Sequence, residues 1–275
     1  MLRSFGQQTT NIANLNTDRC LKLPLTLPPL AEQRRIAEVL DHAESLRAKR
    51  RAALAQLDTL TQAIFLDFFG DPGSKPSVWP QRPMCGVFAT SPIFGTMIPP
   101  VLEKRAWLSL RVGNIQDWTL DLSDRKYVDL PRESVDRYTV KEGDLLLARA
   151  IASQDHLGKC VVAHPNGEKW AFDSHLMRLR FDLKLVQPEF VRHMFMTPGG
   201  RALFLRSSRK STVQFNINTK EIAALQIPVP PLSLQNNFAS HVAAVEKLKT
   251  AHRASLVQLD ALFATLQHRA FRGEL

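Results

Sequence analysis

A repeat runs through this chain and constrains what it can fold into: Pro28-Pro29-Leu30 recurs 202 residues later as Pro230-Pro231-Leu232. At the same offset Asn14-Leu15-Asn16-Thr17 matches Asn216-Ile217-Asn218-Thr219, and Gln33, Glu44 and Leu46 match Gln235, Glu246 and Leu248. Arg51-Ala52 then matches Arg253-Ala254, and Gln56-Leu57-Asp58 matches Gln258-Leu259-Asp260. The period is far too long for a solenoid, so the pattern is a duplicated module. On this reading the first copy is cut short at the N-terminus.

Each copy ends in a long helix. The Pro-Pro pairs are breaks just before a helix start, and Glu32 sits in the first turn, where a negative charge suits the helix dipole. No Gly or Pro interrupts the first copy again until Gly70. Ile36, Val39, Ala43, Leu46, Ala53, Leu57, Leu60 and Ile64 alternate by three and four, with Arg50 as the polar member. This is a heptad seam. In the second copy the seam reads Phe238, Val245, Leu248, Leu259, Leu262 and Leu266, with His241, His252 and Ser255 as polar members, and His252 aligns with Arg50. A polar residue in a seam sets register, and that role is preferred here to catalysis by His252. About 40 helical residues span roughly 60 Å. Two such helices bury their stripes on each other as an antiparallel pair within the chain, the connecting segment being long enough for the return; pairing between chains satisfies the same stripes.

The chain has 275 residues and a net charge of +10. Residues 75–228 hold 22 basic against 15 acidic residues, a surplus of seven. No acid occurs between Glu189 and Glu221, a window that contains Arg192, Arg201, Arg206, Arg209, Lys210 and Lys220. Such a surplus points to a polyanionic partner, nucleic acid before an anionic membrane surface; the plain alternative is a basic protein without one. Cys20, Cys85 and Cys160 are far apart and form no CxxC pair, so no disulfide framework or zinc site is indicated, and a cytoplasmic location fits. No apolar run approaches the roughly 20 residues of a membrane span, and none follows the N-terminus as a signal peptide would.

The middle of the chain reads as a mixed α/β globular domain. Gly70 to Pro76 has linker composition. Ala106–Val112, Lys126–Leu130, Leu145–Arg149 and His175–Phe181 read as strands, the third buried by its continuous apolar run and the fourth half-buried by alternation. Pro188 to Phe204 reads as helical with a break at Pro198-Gly199-Gly200. The predicted fold is α+β: this domain flanked by two long helices that form an antiparallel coiled coil. Two polar loops stand out. Residues 149–160 carry Arg149, Ser153, Gln154, Asp155, His156 and Lys159; residues 207–218 carry Arg209, Lys210, Ser211, Thr212, Gln214 and Asn216. These residue types match the donors and acceptors of phosphates and base edges; otherwise the two are solvated loops.

Catalytic signatures are absent. Gly158-Lys159-Cys160 lacks the upstream glycine and the hydroxyl of a phosphate-binding loop. The Pro-Pro pairs follow Leu27, Ile98 and Val229, not the Asn or Asp with which an amino-methyltransferase holds its target amine. No Pro-Asp precedes a Glu-x-Lys, and the eight histidines do not cluster at metal-ligand spacing.

The stretch from Leu23 to Ala37, Leu-Pro-Leu-Thr-Leu-Pro-Pro-Leu-Ala-Glu-Gln-Arg-Arg-Ile-Ala, resembles the entry into the helical region of type I restriction-modification specificity subunits. Leu110-Arg111-Val112-Gly113-Asn114-Ile115 and Gly143-Asp144-Leu145-Leu146-Leu147-Ala148-Arg149 are similar to stretches of that family's target recognition domains, and Ser211 to Asn218 resembles their Gln-x-Asn-x-Asn closing segment. The resemblance implies a non-catalytic DNA specificity subunit that recruits modification subunits using S-adenosylmethionine to methylate adenine, and restriction subunits using ATP. No cofactor is expected on the chain itself. Family members have two recognition domains. Here residues 1–29 align with the end of a first one and its Pro-rich linker, 30–70 with one long helix, 71–228 with a complete recognition domain and 229–275 with the second helix. The expected partners are double-stranded DNA, modification and restriction subunits, and a second half-subunit or a second copy of the chain, with no membrane. A helix pair about 60 Å long holds reading heads more than one DNA turn, roughly 34 Å, apart.

The residues expected near DNA are Arg111, Asn114, Arg149, Ser153, Gln154, His156 and Lys159, with Arg209, Lys210, Ser211, Thr212, Gln214 and Asn216 as a second group. The alternative from a different class is a coiled-coil protein-interaction scaffold without DNA specificity. A stand-alone methyltransferase or nuclease is disfavoured by the missing motifs.

Overall fold

The structure, a computed structural model, describes residues 6–9, 12–15, 27–73, 78–151, 157–206, 209–210 and 215–275. By their contacts they divide into two units, Met1–Ala53 with His252–Leu275, and Leu54–Ala251.

The elements begin with β1 (Gly6–Thr9) and β2 (Ile12–Leu15), an antiparallel pair, and α1 (Leu30–Phe69). Then come β3 (Gln81–Pro83), β4 (Phe88–Phe94), β5 (Trp107–Leu110), β6 (Ile115–Gln116), β7 (Thr119–Leu120), β8 (Tyr127–Val128), α2 (Val135–Tyr138) and β9 (Thr139–Val140). β10 (Leu145–Ala148), β11 (Ala150–Ile151), β12 (Cys160–Val162), β13 (Trp170–Phe172) and β14 (Leu176–Phe181) precede α3 (Pro188–Met196) and α4 (Pro198–Arg206). The chain continues through β15 (Arg209–Lys210), β16 (Phe215–Asn216), α5 (Thr219–Ala224), β17 (Gln226–Pro228) and α6 (Leu232–Ala270).

The two long helices run antiparallel in each unit. In the first, Arg47 Nε donates to Asp260 Oδ1 at 2.6 Å and its guanidinium lies 4.4 Å over the Phe263 ring. Arg50 Nη1 is 2.8 Å from His252 Nδ1. A guanidinium only donates, so Nδ1 is the acceptor in this pair. In the second unit Lys249 Nζ is 2.6 Å from Asp58, and Phe65 meets Phe238 edge-on at 5.5 Å. In repeat terms these ion pairs are one interaction seen twice: Lys249 occupies the position of Arg47, and Asp260 that of Asp58. Glu44 and Glu246, also equivalent, contact Arg47 and Lys249. The helix starts are repeated too, since Gln33 Nε2 donates to the Pro28 carbonyl and Gln235 Nε2 to the Pro230 carbonyl, both at 2.8 Å.

The seam departs from its sequence register in the same way in both copies. Leu46 and Leu60, and their equivalents Leu248 and Leu262, are exposed, and Val242 and Lys249 are buried instead, whereas Ala43 is buried as the seam predicts. Thr61 is buried as well, while His241 is exposed. A straight α-helix drifts about 20° per heptad from a 3.5-residue repeat, so a fixed heptad reading slides off the buried stripe. Arg47 and Lys249 occupy that stripe because their aliphatic stems pack there while the charged ends reach an acid on the facing helix.

In the second unit β12-β10-β14-β4 form an antiparallel sheet and β8-β5-β13-β9 a mixed one, with β5 and β13 parallel. β10 shows why its sequence is apolar throughout. Leu145 and Leu147 face a core with Phe65, Phe190, Phe195 and Phe238, whereas Leu146 and Ala148 face a second core with Leu110, Trp170 and Phe172. The sheet is therefore covered on both sides. This corrects the half-buried reading of His175–Phe181: Leu176, Met177, Arg178 and Leu179 are all buried. Arg178 is accommodated by donating to the Arg137 and Thr139 carbonyls at 2.9 and 3.0 Å. Arg180 grips Asp144, 1% exposed, through two bonds of 2.6 and 2.7 Å. The predicted helical stretch after Pro188 is α3 and α4, broken at Thr197 as Pro198 requires. No helix among the described residues is long and apolar enough to cross a membrane.

Candidate nucleic-acid interface

Five strand ends of the second unit are stitched into one edge by backbone hydrogen bonds between residues far apart in sequence. At the end of β5, Leu110 accepts from Asp173 N at 2.9 Å. Just past β4, Thr96 N donates to Phe172 at 2.9 Å, forming a parallel bridge with Asp173. Past β10, Arg149 N donates to His175 at 3.1 Å, and the Arg149 carbonyl accepts from Ile217 N at 3.0 Å. Beside it, β16 pairs with β11 on one side and with β15 on the other.

Arg149 is the centre of this edge. Its guanidinium lies 4.0 Å over the Phe94 ring, and it donates to the Ser174 carbonyl at 2.9 Å and to Asn216 Oδ1 at 3.4 Å. Its acceptors are an amide and a carbonyl oxygen, so among the described residues no carboxylate contacts it directly. Burial lowers the Arg149 pKa, partly offset by the charge of Asp173. Burial likewise raises Asp173, against the pull of His175, whose ring lies 3.4 Å away. An arginine stacked on a ring and held from one side keeps donors free for a planar or phosphate acceptor.

The other expected residues take different places. Arg111 binds the Asp124 carbonyl and carboxylate at 2.8 and 3.0 Å. Asn114, 4% exposed, accepts from Arg111 N and donates to the Asp121 and Asp124 carbonyls, so its carboxamide ties the 111–124 loop together. Lys159 reaches Asp117 at 3.3 Å. Arg209 and Lys210 form β15, paired with β16. Ser153, Gln154, His156, Ser211, Thr212 and Gln214 lie outside the described residues.

Two features of the edge escaped sequence reasoning. His175, 52% exposed at the side chain, stands at the start of β14, and the segment from Gly95 to Leu102 leaves the edge as an apolar loop. Neither belongs to a polar run; only the pairing of β4, β13 and β14 brings them beside Arg149. No group of His, Cys, Asp and Glu among the described residues is arranged to hold a metal ion. Burial pushes the Cys160 thiol up to about 12, which makes it an unreactive core residue.

No family model matches the chain. It is 24% identical to the StySPI type I restriction enzyme specificity subunit of Salmonella potsdam and 23% identical to the EcoKI specificity subunit of Escherichia coli K12. Each match covers 96% of this chain and 60% of the relative, so the chain spans about three-fifths of their length. Among solved structures, one reported for the complex assembly and conformational transition of the type I R-M system aligns over 97% of this chain and 66% of its own, with a TM-score of 0.61 and 22% identity. The type I S subunit of M. genitalium aligns over 98% and 68%, with a TM-score of 0.56 and 14% identity. Along nearly its whole length the chain is thus similar, in sequence and in fold, to type I restriction enzyme specificity subunits.

Proposed function

We propose that this chain is the DNA-reading subunit of a type I restriction-modification complex. It is non-catalytic and directs partner subunits to methylate adenine and to restrict DNA. The observation that carries the reading is that the likeness to specificity subunits covers 96–97% of the chain, too much to leave out either helix or the domain between them. The physical arrangement supports it. The domain holds the basic surplus, and its strand ends gather Arg149, His175 and the β15–β16 pair. The exposed and repeat-related Leu46, Leu60, Leu248 and Leu262 offer apolar helix surface to modification subunits. S-adenosylmethionine and ATP act on those partners, and the complex works in the cytoplasm. A second half-subunit or a second copy of the chain supplies a further reading head.

The test is co-expression with a cognate modification subunit, followed by mapping of methylated adenines. The expected result is methylation confined to one defined motif. Absence of methylation above background counts against the proposal.

A further inference from the structure

Exposed apolar side chains are concentrated beside the basic edge. Met97 is 87% and Leu102 74% exposed, with Ile98 and Val101 also open to solvent. The loop that carries them is rigidly held at both ends. At its start Thr96 is 3% exposed and bonded to Phe172, and Gly95 lies so close to the neighbouring strand that a methyl group would sit 2.5 Å from the Asp173 carbonyl carbon. At its other end Val101 and Tyr127 exchange two backbone hydrogen bonds of 2.8 and 2.7 Å. Between them Thr96 Oγ1 accepts from Ile98 N at 3.1 Å, which fixes the apex, and Pro99-Pro100 restricts the descent.

A large apolar apex is costly in water unless something covers it. The edge it springs from answers what does. Phe94, directly before Gly95, is the ring on which Arg149 stacks, and Gly95 N donates to Leu176 at 3.3 Å, next to His175. Glu103, Lys104 and Arg105 follow in the same loop, where Arg105 pairs with Glu103 at 2.8 Å. An apolar tip springing from the edge that carries Arg149 is unsuited to a basic or purely apolar protein surface, but it fits a duplex, whose phosphates meet that cation and whose base faces meet the tip.

We propose that the Met97–Ile98 apex is a wedge that enters a base step of the bound duplex and partly unstacks it. The proposal rests on the DNA-reading function above. The cost of unstacking a step is offset by the added contact. A loop already fixed at both ends loses little conformational entropy on insertion.

The test uses the full chain and a duplex that it selects from a random-sequence pool, with 2-aminopurine placed at successive steps. The wild-type chain is expected to raise fluorescence at one step. Met97→Ala/Ile98→Ala is expected to abolish that rise and weaken binding roughly tenfold, about 1.4 kcal/mol, with the salt dependence unchanged because phosphate contacts remain. Arg149→Ala is expected to weaken binding and lower the salt slope by about one. Both substitutions of the double variant are at solvent-exposed positions, and its thermal midpoint is checked alongside. If the double variant binds and unstacks like wild type while Arg149→Ala weakens binding, the wedge is refuted and the DNA-reading function stands. If the double variant loses only its grip on modification subunits, the loop is a protein contact and the wedge is refuted. If the wild-type chain selects no duplex, both fall together.

Discussion

Gly95→Ala is the sharpest probe of the edge, because it adds one methyl group at the point where β4 crosses β13. The added Cβ falls inside 3.0 Å of the Phe172 and Asp173 carbonyl oxygens. Backbone atoms, unlike the end of a flexible side chain, cannot rotate away. The two segments must separate, which strains or breaks the Thr96–Phe172 and Gly95–Leu176 hydrogen bonds of 2.9 and 3.3 Å. At about 1 kcal/mol for each bond, with overpacking adding about 1–2 kcal/mol, the expected loss is about 3–4 kcal/mol. For a unit of this size that corresponds to a fall in thermal midpoint of roughly 6–16 °C. Gly86 is the control, since a Cβ there meets nothing within 4 Å. Differential scanning calorimetry of wild type, Gly86→Ala and Gly95→Ala decides the matter. Gly86→Ala is expected within about 0.5 kcal/mol of wild type. Duplex binding by Gly95→Ala is expected to weaken with the displacement of the 96–101 loop. If Gly95→Ala unfolds at the same midpoint as Gly86→Ala, the close approach of these strands is wrong, and so is the edge built on it.

Two further outcomes follow from the charged groups. Lys249 is 7% exposed at its side chain, and its partners Asp58 and Glu246 are 65% and 36% exposed; Lys249→Met removes a buried charge and leaves two acids that water already reaches, so urea unfolding is expected to show unchanged or increased stability. Asp58→Ala is expected to destabilise, and the reverse order of these two variants would refute the role given to the pair. In the second unit, the Glu189 and Glu142 carboxylates raise His164 to about 9 against partial burial, whereas burial and the nearby Arg192 lower His193 to about 3. Burial pushes Glu189 up, but His164 and Arg192 pull it down to about 2. The folded state thus holds the His164 proton more tightly than the unfolded chain, and that stability is lost as pH rises from 6.5 towards 9. His193 acts in the opposite sense, its contribution being lost as pH falls from 6.5 towards 3, and that of Glu189 is lost below 4.5. Stability should peak near pH 6.5, and His164→Ala should remove the alkaline decline; a wild-type midpoint that stays flat between pH 6.5 and 9 would overturn this assignment.

Local pattern made much of the architecture readable from the sequence alone. Pro28-Pro29, Gly70 and Pro230-Pro231 bound the helices Leu30–Phe69 and Leu232–Ala270, because proline and glycine act on their own neighbourhood. The apolar run Leu145–Leu147 announced a strand with two covered faces, since no side of it tolerates water. The offset of 202 residues paired Arg50 with His252, which meet at 2.8 Å. Tertiary structure decided the rest. Which of Leu46 and Arg47 entered the seam depended on where helical drift carried the stripe and on Asp260 waiting across it, a fact held by the facing helix. The basic edge was still less legible. Phe94, Arg149 and His175 are scattered along the chain, and no spacing rule links them. The hydrogen bonds joining β4, β10, β13 and β14 set them side by side, and Asn114, polar and loop-borne like the others, was drawn inward by the carbonyls of its own loop.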